Sequence, residues 1–178
     1  LLHSSNRDLS RTNGKTSSTG LFTVKSTTCY RFRLFRNGAL PSPVVTRTYI
    51  YKDKTYPFPI ISVVTDDRNL NSTEYGVFKE GPNGRSGRGS ENDCNWNMSW
   101  DRPVSFEYIT TDNECVISQE CDLSMCGGWS RSWSPHSFKL KASKTYDFQN
   151  FFAAQLFDKK PYIKSKTLQI RNGGNNVL

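Results

Sequence analysis

Apolar side chains fall on every second position through much of this chain, and that alternation predicts strands. Val104, Phe106 and Tyr108 are separated by Ser105 and Glu107, as in a half-buried strand whose successive side chains point to opposite faces. Beyond the Thr111-Asp112-Asn113 turn, Cys115, Ile117, Cys121, Leu123 and Met125 share one parity and predict its hairpin partner. Phe138, Leu140 and Ala142 alternate with Ser137, Lys139 and Lys141, a strand that presents two ammonium groups on one face. Ile60–Thr65 and Thr167–Arg171 read as further strands, as do Leu21–Lys25, Thr28–Phe35 and Val44–Tyr51. Helical signals are few. Asp66-Asp67 can cap one turn through Leu70, and Phe148, Phe151, Phe152, Leu156 and Phe157 approach helical spacing, which predicts a helix within 146–157. The pattern as a whole predicts a mostly β (α+β) chain rich in antiparallel sheet.

The stretches between these segments suggest how the chain is organised. Residues 4–20 are Ser, Thr, Asn and Gly with little to bury, so loop or poor order is expected there. Residues 53–59 carry Pro57 and Pro59 and read as a linker between a segment 1–52 and a segment 60–178. From Gly81 to Asn95 there is scarcely an apolar side chain, which predicts a long loop. Charge divides the chain at the same place. The net charge of +8 lies wholly in residues 1–52, which hold nine Lys/Arg against Asp8, whereas residues 53–178 hold fifteen of each sign. No nucleic-acid motif accompanies the basic segment. Arg31, Arg33 and Arg47 alternate with apolar residues, as on the solvated face of a sheet.

The chemistry concentrates around Cys126-Gly127-Gly128-Trp129-Ser130-Arg131 and the basic strand after it. Glycines let the backbone turn tightly and approach a ligand. The N–H groups of Gly127, Gly128 and Trp129 would face phosphate oxygens, with Arg131, Lys139 and Lys141 supplying countercharge. A plain hairpin with a wet basic face explains the same residues. Trp96, Trp100, Trp129 and Trp133 raise a second possibility, stacking on sugar rings, against burial in a core. His136 has nothing to orient it for catalysis. Cys29, Cys94, Cys115, Cys121 and Cys126 contain no C-x-x-C pair, so no structural zinc site is expected; a disulfide among Cys94, Cys115, Cys121 and Cys126 and buried free thiols both fit. No apolar run approaches the roughly 20 residues of a membrane helix.

Four blocks in order add a family resemblance. They are Phe58–Asp66 with Asn69-Leu70 and Tyr75–Phe78; Trp100–Glu107; the glycine turn with Ser130-Arg131 and Ser137–Leu140; and Leu168–Asn175. Together they resemble the N-terminal half of the spore coat protein H (CotH) kinase family, over about two thirds of the chain. His136 and Asn176 stand where the family often has Lys and Asp. The segment from Phe22 to Ile50 resembles the end of a chitobiase/hexosaminidase C-terminal-type module, an immunoglobulin-like sandwich that often precedes the kinase-like domain.

The resemblance implies an extracellular or cell-surface bacterial protein with a kinase-like N-lobe behind a truncated sandwich. ATP and Mg would be ligands of the full-length protein, and Gly127, Gly128, Ser130, Arg131, Lys139 and Lys141 would contact nucleotide. The family's metal-holding and catalytic Asp residues lie beyond the last block, so no catalytic residue is assigned and the segment alone is expected to be inactive. Its partners would be a protein substrate and the remainder of its own chain. The alternative is a non-enzymatic surface module binding glycan or protein.

Overall fold

A computed structural model of the chain describes residues 2–5, 23–51 and 55–173. The protein is mostly β: among the described residues, nine strands pair in antiparallel sheets, one short strand pairs in parallel, and two helices are each about one turn long. The main sheet has the order β1-β4-β7-β8-β9-β10, built from β1 (Leu2–Ser5), β4 (Ile60–Asp66), β7 (Arg102–Ile109), β8 (Cys115–Met125), β9 (Phe138–Ala142) and β10 (Thr167–Ile170). Two hairpins flank it, β2 (Thr28–Phe32) with β3 (Val45–Tyr49), and β5 (Glu80–Gly87) with β6 (Ser90–Cys94).

Register assigns the two faces of this sheet. Val63 lies opposite Phe106, Val104 opposite Cys121, Cys121 opposite Ala142, and Leu123 opposite Leu140. These residues share one face and form the core with Phe152, whose ring meets Phe106 edge-on at 5.2 Å. Burying each Phe or Leu contributes about 1.5–3 kcal/mol. Ile61 of β4 and Ile170 of β10 line the same apolar hollows, although β7, β8 and β9 separate their strands in the sheet. The sheet therefore curls with its apolar face inward.

The second face carries Ser62, Ser105, Glu107, Asp122, Ser124, Lys139 and Lys141. It is more covered than alternation predicts. Ser105 and Glu107 are buried along with Val104 and Phe106, so β7 is enclosed on both sides. The cover at this end is the β2–β3 hairpin. The Thr48 N–H donates to Glu107 Oε2 at 2.8 Å, the Thr48 and Ser62 hydroxyls lie 2.7 Å apart, and Arg47 approaches Glu107 at 3.8 Å while donating to Ser118. Arg47 is thus a docking contact as well as a solvent-exposed side chain, 49% accessible.

Other expectations meet the structure unevenly. Asp66 caps the α1 turn (Asp67–Asn71), accepting from the Arg68 N–H at 3.0 Å, as its position predicts. The long loop expected from Gly81 to Asn95 is instead the β5–β6 hairpin, irregular in register and held by polar contacts. The helix expected within 146–157 is reduced to α2 (Lys144–Asp147), because Phe148 takes a left-handed φ of 55° and stops it. Phe152 then makes a bridge to Ser165 and drops into the core, while Phe148 faces solvent. Ser4 and Ser5, expected in loop, lie in β1; residues 6–20 fall outside the described residues. Thr23–Lys25 is not a strand, and Leu21, Phe22 and linker residues 53 and 54 also lie outside the description.

Candidate functional site

A cavity of about 610 Å³ opens on the polar face at the β8–β9 end. Its walls carry Arg85, Arg88, Arg131, Lys139 and Lys141 against one carboxylate, Asp101. This concentration of charge is local, since residues 53–178 are neutral overall. Each cation is placed by a different local feature. Lys139 and Lys141 project from alternate positions of β9, opposite Ser124 and Asp122 of β8. Arg85 and Arg88 come from the β5–β6 hairpin, whose tip turns through Gly87, Arg88 and Gly89, all at positive φ. Arg131 lies in the 3₁₀ turn Trp129–Ser132.

The hairpin is fastened above the sheet by specific contacts. The Asn97 side-chain amide donates to the carbonyls of Arg85 (2.9 Å) and Gly87 (2.7 Å). Gly89 has a φ of 100°, and a Cβ there would collide with Ser132 Oγ and come within 3.0 Å of the Trp129 carbonyl, so glycine permits this docking. Asn97 belongs to an Asn-x-Ser triplet, but its amide is committed to this packing.

None of the five cations forms a salt bridge with a described carboxylate. Burial lowers the Arg131 guanidinium from its ordinary value, and the neighbouring charge of Arg88 adds to the shift. Burial pushes the Cys126 thiol up; a Gln169 hydrogen bond and the charges of Lys139, Arg131 and Arg171 oppose it. Such mutual repulsion is relieved when an anion enters. Ser124 also lines the cavity, but its hydroxyl is closed off from solvent and has no hydrogen-bond partner among the described residues. Leaving a buried hydroxyl unsatisfied costs about 1–3 kcal/mol.

The six residues singled out from sequence divide into two groups. Arg131, Lys139 and Lys141 line the cavity, whereas Gly127, Gly128 and Ser130 form the turn beside it. Gly127 needs its φ of 97°, and its carbonyl accepts from the Arg131 guanidinium, which also donates to the Trp96 carbonyl at 3.1 Å. The turn therefore aims Arg131 and does not itself line the cavity. Arg85, Arg88 and Ser124 were not singled out. The glycines around Arg85 and Arg88 were the available signal for a hairpin tip, and the shared parity of Asp122 and Ser124 for a polar β8 face.

His136 sits outside the basic cavity. Its ring stacks on Phe78 at 4.7 Å, lies 5.7 Å from Trp96, and Nδ1 is 2.7 Å from the Arg131 carbonyl. Asp122 accepts from the Tyr146 hydroxyl at 2.7 Å, and burial followed by this carboxylate raises the phenol above its ordinary value. All five cysteines are free, with Cys94 and Cys121 buried. Among the described residues no group of three or more His, Cys, Asp or Glu is placed to hold a metal ion. No described helix is long and apolar enough to cross a membrane.

Compared with known protein families, curated proteins and solved structures, the chain matches none.

Proposed function

We propose that this chain is a phosphate-recognition lobe, in its fuller form the N-terminal lobe of an extracellular or cell-surface CotH-type atypical protein kinase. The observation that carries it is the cavity, whose described lining gathers five cations without described carboxylate partners. Charge-assisted hydrogen bonds to phosphate oxygens use this kind of donor set. The contacts between the sequence blocks also support the kinase reading. Arg102 donates to the Tyr75 carbonyl at 2.8–2.9 Å, and Asn172 donates to the Ser130 carbonyl (3.0 Å) and, through its N–H, to Ser137 Oγ (3.1 Å). The assignment of β2–β3 to a chitobiase-type sandwich rests on sequence resemblance alone.

The residues fit the phosphate part of ATP. Mg enters the proposal by family resemblance alone, and no catalytic step is assigned to this lobe. Binding and positioning of phosphate are its proposed contribution to phosphoryl transfer. Calorimetric titration with ATP, with and without Mg, tests the reading. Saturable binding that weakens as salt is raised is expected; absence of binding at low ionic strength overturns it.

A second reading, a surface module for glycan, is favoured by Trp129 and Trp133, which are 72% and 49% exposed. The other two tryptophans do not join them in a row: Trp96 is buried, and Trp100 lies under the Arg102 guanidinium at 4.7 Å. A tryptophan fluorescence shift with polysaccharide but not with nucleotide would select this reading.

A further inference from the structure

We infer that the cavity reads the phosphate chain of its ligand and not a nucleobase, so that its ligand class is the linear oligophosphate, with or without an attached nucleoside. The inference rests on the phosphate-recognition reading and adds the part of the ligand that determines affinity. Sites that hold a flat heterocycle are lined mainly by apolar and aromatic side chains. Among the described residues the apolar lining consists of Met98 and Met125, and no aromatic residue contributes to the wall. The rest is cationic or polar.

The geometry suits an extended chain of charges. Lys139 and Lys141 are two strand positions apart, about 7 Å along β9, on the same face. Arg85 and Arg88 approach from the hairpin above, and Arg131 closes one side. Ser124 lies directly across from Lys139 in the register. Among the described residues the five lining cations exceed Asp101 by four, or by three once Asp122 across the ladder from Lys141 is counted, an excess that a compact triphosphate neutralises and a single sulfate does not. A base attached to the chain would extend toward the open mouth, where the wall offers it no stacking surface.

Competition calorimetry on the whole chain tests this, using ATP, GTP, tripolyphosphate, sulfate and adenosine. ATP, GTP and tripolyphosphate are expected to bind within about threefold of one another, with sulfate about a hundredfold weaker and adenosine silent. Lys139→Met should weaken all three oligophosphates alike, by about tenfold, at unchanged unfolding midpoint. ATP binding about tenfold or more tighter than tripolyphosphate would overturn the inference while leaving the phosphate-recognition reading intact. Sulfate as tight as tripolyphosphate would reduce the site to an adventitious anion trap and overturn the inference. Failure of every phosphate ligand to bind would overturn the phosphate-recognition reading as well.

Discussion

One sheet face carries opposite charges at its two ends, and the chain treats them differently. At the β4–β7 end the buried charge is negative, and the protein supplies its own complement. Glu107 receives the Thr48 N–H and faces Arg47, both delivered by the β2–β3 hairpin. At the β8–β9 end the charge is positive, and a second hairpin brings still more of it, placing Arg85 and Arg88 over Lys139 and Lys141. The first hairpin closes its end of the face; the second walls a cavity. Complementary charge supplied in cis is a docking device. Like charge gathered around a hollow raises the free energy of the empty state and lowers it on anion binding. The comparison is what directs the proposed phosphate site to the β8–β9 end.

Breaking the closed end should have the largest effect. Glu107→Lys would bury an ammonium beside Arg47 in place of a satisfied carboxylate, and about 4 kcal/mol of stability should be lost in urea unfolding. A loss below about 1 kcal/mol would show that the hairpin docks by other means. At the open end, Gly89→Ala meets both Ser132 and a positive φ. It should cost about 2 kcal/mol and weaken triphosphate binding as Arg85 and Arg88 are displaced. Equal affinity in the folded variant would remove the hairpin from the site.

Replacing charge alone at the open end sharpens the contrast. Lys139→Met with Lys141→Met should lower triphosphate affinity by more than about tenfold, equivalent to about 1.4 kcal/mol. Unfolding stability should stay within about 0.5 kcal/mol or rise, since like charges are removed. A marked loss of stability would mean that the lysines serve the fold.

The smallest effect concerns the ground between the two ends. Cys94, Cys115, Cys121 and Cys126 are all raised from the ordinary thiol value of 9.0, with burial the leading cause in each. A raised folded value favours the protonated thiol in the native state. The stability it contributes is therefore complete below 9.0 and lost as pH rises toward the folded values. Urea midpoints should be flat up to about pH 8.5 and then decline, by up to about 1 kcal/mol per pH unit. Midpoints that stay level to about pH 10.5 would contradict the burial of these thiols.

What was legible in the sequence was local. The parity of β7, β8 and β9 and the Asp66 cap follow from neighbours a few residues apart. The same holds for the two lysines on one strand face, and it brought Arg131, Lys139 and Lys141 within reach of one cavity. The β5–β6 hairpin was not legible because almost nothing in it is apolar. Its fixing contacts are an amide from Asn97 and a glycine against Ser132, distant in sequence and silent in periodicity. Aromatic spacing in 146–157 suggested a helix, yet the core needed only Phe152, and a left-handed Phe148 breaks the turn so that Phe152 can reach it. The partner of Arg47 was equally hidden, because Glu107 sits on an alternating strand whose polar side ordinarily faces water.

The most direct test of the open positive end is lysine labelling with an amine-reactive reagent, read by peptide mass spectrometry with and without tripolyphosphate. Lys139 and Lys141 should be protected in a saturable way, while the exposed Lys159 and Lys160 label at the same rate throughout. Labelling of Lys139 and Lys141 that is indifferent to tripolyphosphate, or matched by equal protection of Lys159 and Lys160, would contradict the account.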